Sequence, residues 1–213
     1  MQWHNRVLRN VCEEMTTEQK NKKAELLIEE SRETDDLQRQ ESLLQQAVQL
    51  NPKSSESFEE LGKCYLYLGQ IDRAEVALQT ALDLEDNGWS RLYLGNIHYR
   101  GGEYKLAEKQ YKLGRRFLSD LAAPLWCIAD VRWAAGDLVG GEDYYRQAAA
   151  LEPDDAGTLA RLGRFLIETE RREEGEPYLR KALACDPTDS FAKKYAKLLL
   201  DSEFLITDSA STK

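Results

Sequence analysis

The sequence predicts an all-α fold, an α-solenoid of antiparallel helix pairs, and three observations favour it. The chain has 213 residues, of which 42% are hydrophobic and 31% charged, a balance typical of a folded, soluble protein. Apolar residues recur at the i, i+3, i+4 and i+7 spacing of amphipathic helices. The same arrangement of small and apolar residues returns every 33 or 34 residues over most of the chain.

Three columns of small residues define this repeat. The first column follows a leucine or isoleucine and contains Gly62, Gly95, Ala129 and Gly163. The second column lies in the following helix and contains Ala74, Ala107, Gly141 and Gly175. The third column contains Ala47, Ala81, Gly114, Ala148 and Ala182. Small residues at fixed positions let two helices approach closely, and since one pair cannot bury its apolar face alone, the pairs are expected to stack.

Glycine and proline mark the ends of the helices. The first helix of a pair is predicted to end near a glycine that tolerates positive φ, at Gly69, Gly101–Gly102 or Gly136. A proline that cannot continue a helix closes three of the units, at Pro52, Pro153 and Pro187. Asp86 and Ser119 replace it in the two middle units.

The pattern L-G-x-x-Y, then Gly, then Ala, then A-L…P, at about 34 residues, resembles the tetratricopeptide repeat. The resemblance covers residues 21–187 as five repeats, at about 21–54, 55–87, 88–121, 122–155 and 156–189. Three positions depart from the family pattern: Gln40 replaces a small residue, and Arg91 and Arg132 replace large apolar ones. Gly140 and Gly141 inside a predicted helix each cost about 1 kcal/mol relative to alanine. We expect these departures to weaken packing without changing the fold.

Helices are also expected outside the repeats. A helical extension is predicted over residues 1–20, where apolar side chains recur at four-residue steps: Trp3, Val7, Val11 and Met15. The sequence leaves open whether it packs on the first repeat or lies in the groove. A capping helix is predicted over 188–205, begun by Asp189 or Ser190. Its apolar face would contain Phe191, Tyr195, Leu198 and Leu199, and a disordered tail is expected over 206–213.

Composition and motifs argue against several function classes. The net charge of −9 disfavours a nucleic-acid binder. No apolar run is long enough to form the core of a signal peptide or a membrane helix. We therefore expect a cytoplasmic protein that is not inserted in a membrane. In that setting its four cysteines are expected to be reduced: Cys12, Cys64, Cys127 and Cys185. The two histidines, His4 and His98, belong to no metal motif, and no phosphate-binding loop or nucleophile elbow is present. We therefore expect no enzyme activity, cofactor or metal.

The resemblance implies where a partner would bind. In this family the first helix of each pair lines a concave surface, and its positions two, five, nine, twelve and thirteen face the groove when the first small residue is numbered eight. Residues at or beside these positions form the predicted partner-binding set: Lys63, Tyr67, Trp89, Asn96, Tyr99, Trp126, Asp130, Trp133, Arg161 and Arg164.

Two tryptophans stand out in this set. Trp126, Asp130 and Trp133 are spaced i, i+4 and i+7 and so share one helix face. We expect an exposed aromatic patch here, beside Trp89 and Tyr99, that a partner covers. The alternative is that the tryptophans pack between helices.

The sequence therefore favours a non-enzymatic interaction module that binds a peptide or helix of a partner protein in its concave groove. Two alternatives stay open: a chaperone similar to those of bacterial secretion systems, which would hold an apolar client, and a self-assembling scaffold that forms homo-oligomers. The carboxylate clamp of chaperone-binding family members does not fit. Asn96 and Arg161 match it, but other clamp positions are occupied by Leu92, Cys127 and Gly157.

Overall fold

The computed structural model describes residues 15–195, and every regular element in that range is an α-helix. The described helices are α1 (Thr17–Glu33), α2 (Leu37–Leu50), α3 (Ser55–Tyr67), α4 (Ile71–Leu84), α5 (Gly88–Arg100), α6 (Tyr104–Gly114), α7 (Ala123–Ala134), α8 (Leu138–Leu151), α9 (Ala156–Glu168) and α10 (Arg172–Cys185). A further helical segment covers 190–195. The chain divides between Gly101 and Gly102 into two compact units.

In the first unit, α1 packs on α2 and α3 packs on α4, while α2 contacts α3 and α4 contacts α5. The first helices of successive pairs also touch, α1 with α3 and α3 with α5. The core between them is apolar and includes Ile28, Leu44, Ala47, Tyr65 and Leu78. This arrangement places one face of α3 beside one face of α5.

In the second unit, α7 pairs with α8 and α9 with α10, and α6 lies against α7. The helices α7 and α9 contact each other as α3 and α5 do in the first unit. The fully buried side chains of this unit include Ile128, Tyr145, Phe165, Leu166 and Leu179. Leu125 and Ala129 of α7 are buried as well.

Most helix starts have a polar cap that satisfies free backbone N–H groups. Thr16 forms a capping box with Gln19, so α1 begins at Thr17, four residues before the predicted start of the first repeat. Of the two predicted caps of the C-terminal helix, Asp189 performs the role, because its Oδ1 accepts from the N–H of Ala192 at 2.6 Å. Residues 1–14 of the extension predicted over 1–20, residues 196–205 of the predicted capping helix and the tail predicted over 206–213 lie outside the described residues.

Four of the five turns between paired helices, those after the first pair, contain a left-handed residue. Gly69, Gly102 and Gly136 have φ of 73°, 76° and 86°, as predicted from the sequence. In the fifth pair the same turn position is occupied by Glu170, with φ of 65°. A side chain is strained in this region, so the last turn departs from the other three.

The small-residue columns lie where paired helices cross. A Cβ added to Gly62 would be 2.6 Å from Leu78 Cγ, and one added to Gly175 would be 2.6 Å from the carbonyl oxygen of Gly163. A Cβ on Gly141 would be 3.3 Å from the carbonyl oxygen of Ala129. Gly141, which we expected only to weaken α8, thus lies at a close crossing of α7 and α8.

The polar departures from the family pattern are satisfied locally. Gln40 donates to the carbonyl of Thr34. Arg91 pairs with Asp86. Arg132 pairs with Glu108 at 2.9 Å and with Asp137 at 2.8 Å. These ion pairs explain how arginine is accommodated where an apolar side chain was expected.

Candidate functional site

A groove of about 580 Å³ in the first unit collects four of the predicted site residues. Lys63 and Tyr67 extend from α3, and Asn96 and Tyr99 from α5. Spacings of four and three residues keep each pair on one helix face, and contact between α3 and α5 brings the faces together. The groove is completed by Leu66, Tyr93 and Arg100.

Tyrosine rings and cationic groups dominate this groove. Tyr67 is 65% exposed, although its ring is large and apolar. The Lys63 ammonium donates to Glu60 at 2.8 Å, and Arg32 donates to the same carboxylate at 2.6 Å. Burial acts against ionisation of Glu60, but these two cations outweigh it and lower its pKa. Lys63, which lines the groove, therefore belongs to an ion-pair network, and the rings of Tyr67, Tyr93 and Tyr99 line the groove beside it.

Trp89 extends the aromatic surface along α5 without lining the groove. Its ring stacks on Tyr93 with centroids 6.3 Å apart, and the residue is 41% exposed. The predicted proximity of Trp89 and Tyr99 to Trp126 and Trp133 would join residues of the two units and stays a prediction.

Sequence reasoning missed a second cavity, of about 500 Å³, that shares Lys63 and Tyr67 with the groove. It is lined by Arg32, Asp35 and Glu60, among other residues of α1 to α3. Little in the sequence indicated this cavity. Arg32 lies on the last turn of α1, and its ion-pair partners, Glu56 and Glu60, follow 24 and 28 residues later in the chain. Such long-range ion pairs are not visible in a helical periodicity.

In the second unit the predicted aromatic patch is partly covered by arginine. Trp126 and Trp133 are half-buried against the core of α7 to α10. The Arg161 guanidinium lies 3.9 Å from the centre of the Trp126 ring, and that of Arg164 lies 4.7 Å from the Trp133 ring. Trp133 also packs edge-on against Phe165, at 5.2 Å. The structure therefore departs from the expected exposed patch at Trp126 and Trp133, because both rings pack on the core and are covered by arginines of α9.

Asp130, the third residue of this face, already has partners. It accepts from the Tyr145 hydroxyl and from Arg164 at 3.0 Å. Burial and the Asp130 carboxylate together raise the pKa of Tyr145. Burial opposes the charge of Arg164, but hydrogen bonds and the nearby Asp130 raise its pKa above the usual value. Asp130 and Arg164 therefore form an internal ion pair.

The start of the C-terminal helix adds two rings to this cluster. Phe191 lies 4.9 Å from the Arg161 guanidinium and 5.3 Å from that of Arg164. Tyr195 lies 5.5 Å from Arg164. Both were predicted as the apolar face of a cap, but their contacts with site arginines were not.

Reactive groups are scarce in the part of the chain described here. Across residues 15–195, no group of His, Cys, Asp and Glu side chains could hold a metal ion. Cys64, Cys127 and Cys185 are free, and burial raises the pKa of Cys64 to about 11 and that of Cys127 further. A buried thiol with a raised pKa is a poor nucleophile. Over the same residues, no helix is both long enough and apolar enough to span a membrane.

Comparison with known proteins places the repeat in context. Two family models described as tetratricopeptide repeat match residues 43–76 and 132–198. The CTR9 homolog of Arabidopsis thaliana is 23% identical over 157 residues, which are 70% of this chain and 14% of that protein. The BBSome complex member BBS4 of Mus musculus is 36% identical over 72 residues, 34% of this chain and 14% of that protein. The chain thus spans only a small part of the curated relatives it matches.

Solved structures share the fold. A thermophilic TPR protein of Thermus thermophilus superposes with a TM-score of 0.70 at 21% identity, covering 87% of this chain and 100% of that one. The pilF protein of Pseudomonas aeruginosa gives 0.70 at 11% identity, covering 86% and 87%. YrrB, a TPR protein with an unusual peptide-binding site, gives 0.58 at 19% identity, covering 82% and 88%. The predicted all-α solenoid of helix pairs is confirmed.

Proposed function

The chain belongs to the tetratricopeptide-repeat family, and on that premise we propose that it is a non-enzymatic interaction module whose first helices bind a peptide or helix of a partner protein. Repeats of this kind generally act as protein–protein interaction modules. The proposal gives each unit a binding face of its own, that of α3 and α5 in the first unit and that of α7 and α9 in the second. It assigns the protein to the cytoplasm and requires neither a cofactor nor nucleic acid.

The observation that carries the proposal is the convergence of Lys63, Tyr67, Asn96 and Tyr99 on one groove. Its volume is within the usual range of ligand sites, about 300–1,000 Å³. Tyrosine is enriched among residues that dominate binding energy at interfaces, because its ring buries much area and its hydroxyl satisfies a polar partner. Because the Tyr67 ring is so exposed, a bound partner would remove a large part of its apolar surface from water.

Capture of the native partner tests the proposal. Tyr67→Ala combined with Tyr99→Ala should reduce co-purification of the partner by about tenfold or more, since each lost aromatic anchor typically costs about 1 kcal/mol or more. Val76→Ala, an exposed apolar change on α4, serves as the matched control and should leave capture unchanged. Circular dichroism verifies that both variants keep their helices.

Other results would point elsewhere. Undiminished capture by the folded double-tyrosine variant would refute this site. Co-purification of one client that precipitates when released would favour the chaperone alternative. A mass that grows with concentration in light scattering would favour the self-assembling scaffold.

A further inference from the structure

We propose that α6 of the second unit carries a peripheral membrane-binding surface, which docks on a bilayer that contains anionic phospholipids. The surface consists of two neighbouring lines of side chains, one basic and one apolar. It lies on the second helix of a pair, whereas the proposed function places the partner segment on first helices. The inference therefore goes beyond the proposed function and can be tested separately.

The basic line runs along α6 and continues just past its end. Its four members are exposed and are spaced i, i+4, i+7 and i+11, so they share one helix face: Lys105, Lys109, Lys112 and Arg116. Arg116 still follows the helical path, because its backbone N–H donates to the carbonyl of Leu113 at 3.1 Å. The four cations thus span about 16 Å of helix.

The apolar line lies between the basic line and the core. Leu106 and Phe117 are 47% and 50% exposed, and the half-buried Leu113 lies on the same face between them. The opposite face of α6, which includes Tyr111 and Gly114, is buried. Large apolar side chains beside a row of cations are typical of helices that lie at a membrane interface.

Most of the basic line is not neutralised within the fold. Lys112 donates to Glu108 at 2.8 Å, but the same carboxylate also accepts from Arg132 at 2.9 Å. Glu108 is the only acidic residue in the sequence between positions 104 and 117. Over residues 15–195, no ion pair joins a carboxylate to the other three members of the basic line. Their charge is therefore available to an external anionic surface.

The repeat itself does not require cations at these positions. The corresponding residues of α4, 33 positions earlier, include two acids and no base: Asp72, Val76, Gln79 and Asp83. Those of α8, 34 positions later, include a single base: Val139, Asp143, Arg146 and Ala150. The basic line also runs against the net charge of −9. Because exposed charges interact over only about 8 Å at physiological ionic strength, a docked surface responds to the local line more than to the net charge.

An anionic bilayer fits both lines at once. Each Lys or Arg close to such a surface strengthens binding by about fivefold. Leu106 and Phe117 would leave water at the boundary between headgroups and acyl chains, whereas the phosphate backbone of a nucleic acid offers them no apolar counterpart. The cytoplasmic leaflet carries anionic lipids and is the membrane surface open to a protein of the proposed location.

Sedimentation of the full chain with lipid vesicles tests the proposal. Phosphatidylcholine vesicles that contain about 30% phosphatidylserine should bind the chain about tenfold or more tightly than vesicles of phosphatidylcholine alone. Raising the salt from about 0.1 M to about 0.5 M should weaken this binding about tenfold or more, because exposed charges are then screened.

Variants locate the surface. Lys105→Gln, Lys109→Gln and Arg116→Gln together should weaken binding to the anionic vesicles about tenfold or more. Phe117→Ala should weaken it about threefold or more, since less apolar surface leaves water. A control that removes the same charge from exposed lysines of the first unit should bind as wild type: Lys22→Gln, Lys23→Gln and Lys53→Gln. Circular dichroism verifies that every variant keeps its helices.

Several results would overturn the inference. It fails if the two kinds of vesicle bind equally or not at all, or if the folded α6 triple variant or Phe117→Ala binds as wild type does. A nucleic-acid duplex of about 20 base pairs that binds more tightly than the vesicles, and is lost in the same triple variant, would assign the basic line to nucleic acid instead. Tyr67→Ala with Tyr99→Ala should leave vesicle binding unchanged, so failure of the proposed groove would not affect this result.

Discussion

At the scale of the residue, the turn between α9 and α10 contains backbone strain that a single substitution could remove. Glu170 has φ of 65°, where Gly69, Gly102 and Gly136 occupy the corresponding positions of earlier pairs. A left-handed side chain costs about 1–2 kcal/mol, while glycine adds about 0.4–1 kcal/mol of entropy to the unfolded chain. Glu170→Gly should therefore stabilise the protein by about 0.5–1 kcal/mol, measured by urea unfolding. Gly136→Ala, the reverse change at φ of 86°, should destabilise it, and equal stabilities in both variants would contradict this account.

A second residue-scale prediction concerns Glu60. Its pKa is lowered in the folded state because Lys63 and Arg32 donate to it despite its burial. A depressed carboxyl pKa adds stability above the unfolded value, 4.5, and that stability is lost as the pH falls through the folded value. The difference in unfolding free energy between wild type and Glu60→Gln should thus be about 1–2 kcal/mol at pH 7 and should shrink below pH ~4.5.

The matched control for this prediction is Glu56→Gln. Glu56 shares Arg32 with Glu60 but is about half exposed, and we expect a change within about 0.5 kcal/mol at any of these pH values. A pH-independent difference for Glu60→Gln would show that packing, not charge, is what the substitution removes.

At the scale of the element, the distance between two crossing helices determines whether a glycine at the crossing can be replaced by a larger residue. A Cβ at Gly175 would lie 2.6 Å from a backbone oxygen and 2.8 Å from Ile167 Cγ1. Because backbone cannot move aside cheaply, Gly175→Ala should cost about 1–3 kcal/mol. A Cβ added at Gly141 would lie 3.3 Å from its nearest neighbour, the carbonyl oxygen of Ala129. In Gly141→Ala the gain of about 1 kcal/mol in helix propensity should therefore nearly offset the cost of this close contact. Thermal unfolding that ranks the two variants in the opposite order would contradict this reading of the crossings.

The helices and their crossings could be predicted from the sequence, but the arginine stacking could not. Gly69, Gly136 and the small residues at each crossing follow from local geometry that repeats every 33 or 34 residues. Arg161 instead meets a ring from α7 and a ring from the segment after α10. Periodicity identifies the face on which each of these side chains lies, whereas their contact depends on how successive pairs stack.

The groove of the first unit was predictable for a similar reason. Lys63 and Asn96 occupy the same position in two successive repeats. Tyr67 follows Lys63, and Tyr99 follows Asn96, by about one helical turn on the same face. Aligning the repeats in one register therefore places all four residues on the neighbouring faces of α3 and α5. The cover on Trp126 was not predictable, because a half-buried ring and an exposed ring have the same helical spacing. Sequence periodicity thus locates a binding face but does not determine what already occupies it.

At the scale of the whole molecule, the division at Gly101 and Gly102 predicts local rather than global response to damage. Stability in helix-pair arrays is approximately a sum of the units and their nearest-neighbour interfaces. Gly175→Ala should therefore speed amide hydrogen exchange in α9 and α10, by about tenfold for each ~1.4 kcal/mol lost, while α1 to α3 keep their wild-type protection. Exchange measured on the intact chain by mass spectrometry separates these segments, with Val76→Ala as a surface control. Equal acceleration in α1 to α3 would mean that the two units open in one cooperative step, and that a partner bound to one face would stabilise the other.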